Sequence, residues 1–195
     1  MSVSLTKGQK VDLTKGNAQL DVLNVGLGWD PVKSGGLFSR SQAMDIDASA
    51  ILLDQHGKLV TRSNLVYFGN LQSGCRSVVH SGDNLTGAGS GDDEVIAVHL
   101  SKVPQDVHRI VFVVNIFDCT NRRQDFGQVR NAYIRVVDKS KRSEVLRFNL
   151  TDDYSGKTSL VVGEVYRYNG EWKFSAVGRG SQDRTLQELV SSITQ

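Results

Sequence analysis

The sequence predicts an all-β protein, an antiparallel β-sandwich that ends in a short C-terminal α-helix. Three observations carry this. Short runs of alternating apolar and polar residues recur along the chain, bounded by turn-forming glycine, asparagine and aspartate. Helical spacing appears late, where Leu186, Leu189, Val190 and Ile193 recur on one face. With only two prolines and no low-complexity tract, nothing reads as a linker, so the 195 residues are expected to form one domain, 1–195.

In chain order, Val3-Ser4-Leu5 and Val11-Asp12-Leu13 read as a pair of short edge strands, each leading into Thr-Lys-Gly. Leu20 to Trp29 is the next strand. Pro31 keeps Asp30 out of the helical region, which places its carboxylate at a strand end. Val32 to Gln42 is polar and carries two adjacent glycines, so it reads as a loop. Ala43 to Leu53 is a strand with Asp45 and Asp47 on one face, roughly 7 Å apart. Ile46, Ala48, Ala50 and Leu52 point the other way, into the core. Two carboxylates on one strand face are costly unless they are exposed or paired with a cation.

Leu59-Val60 and Leu65 to Phe68 flank a polar bend and read as strands, followed by Ser77 to His80 and Val95 to Leu100. Arg109 to Phe117 is apolar on both faces and therefore central. Thr120 to Gln128 is a polar loop with adjacent Arg122 and Arg123. Ala132 to Val137 and Glu144 to Leu150 are joined by a basic turn. Ser159 to Tyr168 and Trp172 to Gly178 flank Asn169-Gly170, the strongest short-range hairpin signal in the chain. Asp183 to Thr194 reads as the helix, with Asp183 at its start.

One stretch stands apart. Between Gly82 and Glu94 lie four acidic side chains, four glycines and no basic residue. Crowded carboxylates repel, and Ca²⁺ offsets such charge by taking six to eight oxygen ligands. Asp83, Asn84, Asp92, Asp93 and Glu94 supply side-chain oxygens. Gly87, Gly89 and Gly91 let the backbone turn its carbonyls inward without a Cβ clash. Asp83 and Glu94 stand first and twelfth as in an EF-hand, but Leu85, Gly87 and Ala88 break that pattern, and the flanks alternate like strands. The plain alternative is a solvated acidic turn. A phosphate-cradling glycine loop is disfavoured, because it lacks the Walker lysine and nearby carboxylates would repel phosphate.

The composition, 39% hydrophobic and 23% charged, is that of an ordinary soluble globular protein. A formal net charge of +2 gives no argument for nucleic acid or membrane as partner. No apolar run is long enough to span a membrane and the N-terminus lacks signal-peptide character, so a cytoplasmic location is expected. Cys75 and Cys119 form neither a zinc spacing nor a Cys-x-x-Cys pair and fit a reducing compartment. His56, His80, His99 and His108 show no ligand spacing, and His80 reads as a strand-surface residue. No nucleophile comes with an orienting base, so an enzyme is not expected. Two alternatives remain open. Arg122 and Arg123 would bind a phosphate or nucleotide beside the metal, or the metal would assist hydrolysis.

Several motifs then combine: Gly26-Leu-Gly-Trp-Asp30, Asp45-Ile-Asp-Ala-Ser49, the Gly82–Glu94 stretch, Arg122-Arg-Gln-Asp-Phe-Gly127 and Gly163-Glu-Val-Tyr-Arg167. Together they resemble the tellurium-resistance TerD family over nearly the whole chain. The resemblance implies a bacterial, cytoplasmic, calcium-binding β-sandwich tied to tellurite resistance and general stress. It also implies protein partners from the same resistance system, at the inner face of the membrane. Its calcium ligands map onto Asp30, Asp45, Asp47, Asp83, Asn84, Asp92, Asp93 and Glu94, generous for one ion, so two Ca²⁺ are expected. Met44 stands where an aromatic is usual, and Phe117-Asp118 where members often carry His-Asp. The latter leaves Asp118 as that strand end's one contribution to a metal.

Overall fold

The computed structural model describes residues 2–31, 44–82 and 91–195. Among these residues, twelve strands and two α-helices follow one another. The strands are β1 (Val3–Leu5), β2 (Lys10–Asp12), β3 (Val22–Pro31), β4 (Ile46–Leu53), β5 (Leu65–Val66), β6 (Val78–His80), β7 (Glu94–His99), β8 (Arg109–Ile116), β9 (Val129–Asp138), β10 (Ser143–Asn149), β11 (Ser159–Tyr168) and β12 (Glu171–Ser181). Helix α1 (Cys119–Arg122) is a single turn, and α2 (Leu186–Ile193) is the C-terminal helix. Sheet A has the order β1-β10-β9-β3-β7-β6, and sheet B the order β2-β12-β11-β8-β4-β5.

The expected sandwich is present, and its core follows from strand alternation. Leu23, Val25, Leu27 and Trp29 of β3 face Ile46, Ala48, Ala50 and Leu52 of β4 within one buried cluster. Strand β8 lies between β11 and β4, and from Ile110 to Ile116 every residue is buried. Its inner residues Ile110, Phe112 and Val114 fill the sandwich. Its outer residues Val111 and Val113 join Ile51, Leu53 and Val161 beneath Leu189 and Val190 of α2. The helix thus seals the outer face of sheet B, which is why the strand reads apolar on both sides.

Several details differ from the sequence reading. The two N-terminal strands are both edges, but of different sheets, and β1 runs parallel to β10. Leu59-Val60 forms no strand; Leu59 makes one isolated bridge to Leu53. The polar loop after β8 opens with the turn of α1 and closes with a 3₁₀ turn at Phe126–Gln128. Helix α2 begins after Thr185, whose hydroxyl accepts the Glu188 amide, rather than at Asp183. The Asn169-Gly170 hairpin is as expected, with φ of 52° and 79°, the doubly positive pair of a type I′ turn.

Strand register defines two ends. At one, β3 finishes while β4 and β7 begin, since Leu27 pairs with Glu94 and Ile46 with Ile116. At the other, β7 passes to β8 and β11 turns into β12.

Candidate metal centre

The acidic residues gather at the first of these ends. On β3, Leu27 and Trp29 point into the core, so Gly26, Gly28 and Asp30 face outward from sheet A. Asp30 is exposed and accepts from Asn131 Nδ2 at 2.8 Å. The Trp29 amide donates to Asp93 Oδ2 at 2.7 Å, and the Asp93 amide donates to the Leu27 carbonyl. Burial pushes the Asp93 carboxyl above the usual carboxylate range, and the negative charges of Asp30, Asp92 and Glu94 push it further. Those four acids therefore share one neighbourhood.

Asp92 is held by one arginine and one tyrosine. Arg135 grips it in a fork, with Nε to Oδ1 at 2.7 Å and Nη2 to Oδ2 at 3.0 Å. The Tyr133 hydroxyl donates to Asp92 Oδ1 and lies equally close to the Gly91 carbonyl, at 2.9 Å each. Burial first, and then that bond and the Asp92 charge, push the Tyr133 phenol up to about 12.

Glu94 points the other way, between the sheets, and is 1% exposed. Its Oε2 accepts the Ala48 amide at 2.7 Å. The His80 ring nitrogen Nε2 sits 3.1 Å from the Ala48 carbonyl and 3.2 Å from Glu94 Oε2. Strand β5 is too short to pair with this part of β4, so these two side chains satisfy the Ala48 backbone that a longer strand would have covered. Nδ1 of His80 accepts the Gly82 amide at 3.0 Å, which assigns the ring proton to Nε2. His80 is 3% exposed. The expectation of a strand-surface histidine is overturned, because Val78 and His80 share the inward face of β6. The other oxygen of Glu94, Oε1, is buried and has no hydrogen-bond partner among the described residues.

Asp45 and Asp47 occupy a separate position. The β4 alternation puts Ile51 and Leu53 under α2, so Asp47 faces outward from sheet B. It lines a cavity of about 580 Å³ with Asn115, Phe117 and Asp118. Asp45 lies 3.6 Å from Arg122 Nη1, and Arg122 Nε lies 3.9 Å from Asp118. The Arg122 guanidinium also covers the Phe117 ring, 5.3 Å from its centroid. Arg122 is thus engaged with acids of this strand end, whereas Arg123 is exposed in a left-handed conformation at φ 53°.

The two groups of acids leave the same end of the sandwich on opposite outer faces, with Glu94 between them. Asp83, Asn84, Gly87 and Gly89 lie outside the described residues. Among the described residues, no group of three or more Asp, Glu, His or Cys side chains is arranged to hold a metal ion. His80, Tyr133 and Arg135 contact residues of the candidate site, a role that the sequence did not announce. Arg135 and Asp92 are 43 positions apart and no spacing rule links them.

The fold is a two-sheet β-sandwich with acidic residues gathered at one end. A family model described as the TerD domain matches residues 1–192, and the chain belongs to the TerD family. It is 54% identical to the stress response protein SCP2 of Bacillus subtilis (strain 168), over 98% of each chain. It is 48% identical to the tellurium resistance protein TerD of Serratia marcescens, over 92% of this chain and 91% of that one. A solved TerD homologue from Streptomyces coelicolor A3(2) shares the fold, with a TM-score of 0.66 at 24% identity, covering 86% of this chain and 94% of that chain. The protein is therefore a member of a tellurium-resistance and stress-response family. No helix among the described residues is long and apolar enough to cross a membrane.

Proposed function

We propose that the protein is a non-enzymatic calcium-binding member of this family, a Ca²⁺-stabilised interaction module of the cytoplasmic stress response. The observation that carries this reading is the buried Glu94 carboxylate. One oxygen is bonded to Ala48 and His80, and the other is buried without a partner among the described residues, beside an Asp93 that three neighbouring acids already crowd. A buried carboxylate oxygen without a donor is costly, and a hard divalent ion satisfies it while offsetting the clustered charge. The all-oxygen donor set fits calcium rather than zinc.

Glu94 would hold one ion with oxygens from Asp83, Asn84 and carbonyls near Gly87 and Gly89, and Asp30 and Asp93, which do not converge on Glu94 in this structure, would join it only by turning their side chains. Asp92, gripped by Arg135, would anchor the loop. Asp45 and Asp47, on the far face, would serve a second ion. The ion supplies charge compensation and a cross-link between chain segments. Partners would be other proteins of the resistance system, bound through the ordered acidic pole. Arg122 supports a phosphate- or nucleotide-binding alternative poorly, since Asp45 and Asp118 flank it.

Calorimetric titration of chelator-stripped protein tests the reading. Ca²⁺ should bind with near-integer stoichiometry and in preference to Mg²⁺. A ligand confined to the folded state stabilises it by about 2.7 kcal/mol at a hundredfold excess over Kd. Chelation should then lower Tm by several degrees, and Asp93→Asn with Glu94→Gln should abolish the difference. A melting curve indifferent to calcium and chelator alike would defeat the proposal.

A further inference from the structure

We propose that His80, Tyr133 and Arg135 are positioning residues that fix both ends of the acidic loop before an ion arrives, and so set the affinity of the site; this rests on the calcium reading above. At the entrance, His80 Nδ1 accepts the Gly82 amide at 3.0 Å. At the exit, Nε2 of the same ring faces Glu94 Oε2 at 3.2 Å. One imidazole therefore joins two points twelve positions apart in the chain. A second anchor grips the exit from the outer face of sheet A. Tyr133 reaches both Gly91 and Asp92, and the Arg135 fork closes on Asp92. Tyr133 is itself pinned, with the Arg147 guanidinium 3.6 Å above its ring centroid.

The Gly26-Leu-Gly-Trp-Asp30 motif is the floor of this anchor. A Cβ on Gly26 would collide with the Asp92 carboxylate, and one on Gly28 with the Tyr133 ring. Neither glycine is at positive φ, so the space above β3 is what demands them. Trp29 adds its amide bond to Asp93. Each anchor satisfies polar groups within the protein and leaves Glu94 Oε1 over. Holding the ends in place removes part of the ordering cost that binding would otherwise bear.

Changing outer-shell partners of metal ligands typically weakens binding about 10- to 100-fold. Ca²⁺ titration of the full chain after chelation should therefore show Arg135→Met at least tenfold weaker than wild type. The number of ions should be unchanged, and so should the chelated Tm to within a few degrees. Arg135→Lys, which keeps the charge but loses the fork, should recover part of the affinity. Tyr133→Phe removes a single hydroxyl and serves if the arginine variants fold poorly; it should also weaken binding. Wild-type affinity in both Arg135→Met and Tyr133→Phe would overturn the proposal. Amide exchange in chelated protein separates this from the calcium reading. Protection at the Gly82 and Ala48 amides that is lost in His80→Gln supports the anchors even if no ion binds, and rapid exchange there in wild type sinks them.

Discussion

Asp138 shows how one side chain sets a turn. It closes β9 at 2% exposure, and its Oδ1 accepts from the Ser140 hydroxyl, the Ser140 amide and the Lys141 amide at 2.6, 2.9 and 3.2 Å. The Ser140 hydroxyl bond is the main reason its carboxyl is held below the usual carboxylate range. A depressed folded-state pKa stabilises the protein above the unfolded value of about 3.9, and that share is lost as pH falls through the folded pKa. Asp138→Asn should cost about 2 kcal/mol at pH 7, from bonds to a charged acceptor. Urea melts should show the gap to wild type closing below about pH 4, and a gap independent of pH would contradict this assignment. The basic turn here was legible in sequence; its aspartate cap was not, because such a cap depends on side-chain direction. His80 was misread for a similar reason. Val78-Val79 leaves the strand phase ambiguous, and only contact with Ala48, on the other sheet, resolves it.

At the scale of elements, α2 and the outer face of sheet B depend on each other. Val111 and Val113 would be exposed without it, and an eight-residue helix is marginal in water without packing. Leu189→Ala should therefore cost about 2–5 kcal/mol, the range for buried leucine truncation. Thr185→Ala should cost about 1 kcal/mol through loss of the cap on the Glu188 amide. Thermal melts of both variants check the order, and Thr185→Ala costing more than Leu189→Ala would reverse the account. The helix and its apolar stripe could be read from the spacing of Leu186, Leu189, Val190 and Ile193. Its start could not, because Asp183 resembles a cap while its side chain accepts the Ser181 and Ser192 hydroxyls instead. Long alternating strands such as β11 were found with their bounds, whereas Leu59-Val60 failed because two apolar residues carry too little periodicity. The parallel pairing of β1 had no local signal, since a parallel partner far along the chain leaves no turn to recognise.

Across the whole molecule, the two ends of the sandwich are held by different chemistry. At the acidic end, the connection between sheets A and B runs through Glu94 and His80 onto the Ala48 backbone. At the opposite end, Arg167 does comparable work with neutral acceptors. Its Nη2 donates to the Val103 carbonyl at 2.7 Å and its Nε to that of Val107 at 3.1 Å, while the guanidinium lies 4.3 Å from the Trp172 ring centroid. These bonds tie the β11–β12 hairpin to the segment between β7 and β8. Motif residues Gly26 to Asp30 and Gly163 to Arg167 were both visible in the sequence as patterns. What they hold, the loop exit in one case and the β7–β8 connection in the other, emerges only when distant strands meet. If calcium binds at the acidic end alone, removing it should loosen the protein unevenly. Amide exchange after chelation should accelerate at Gly82, Ala48 and Asp93 by tenfold or more, and remain within about twofold at Val107 and Trp172. Arg167→Met should do the reverse, lowering Tm equally with and without calcium, because its partners lie at the other pole. Uniform acceleration along every strand on chelation would mean that the ion stabilises the sandwich only as a whole, and would remove the division into two poles.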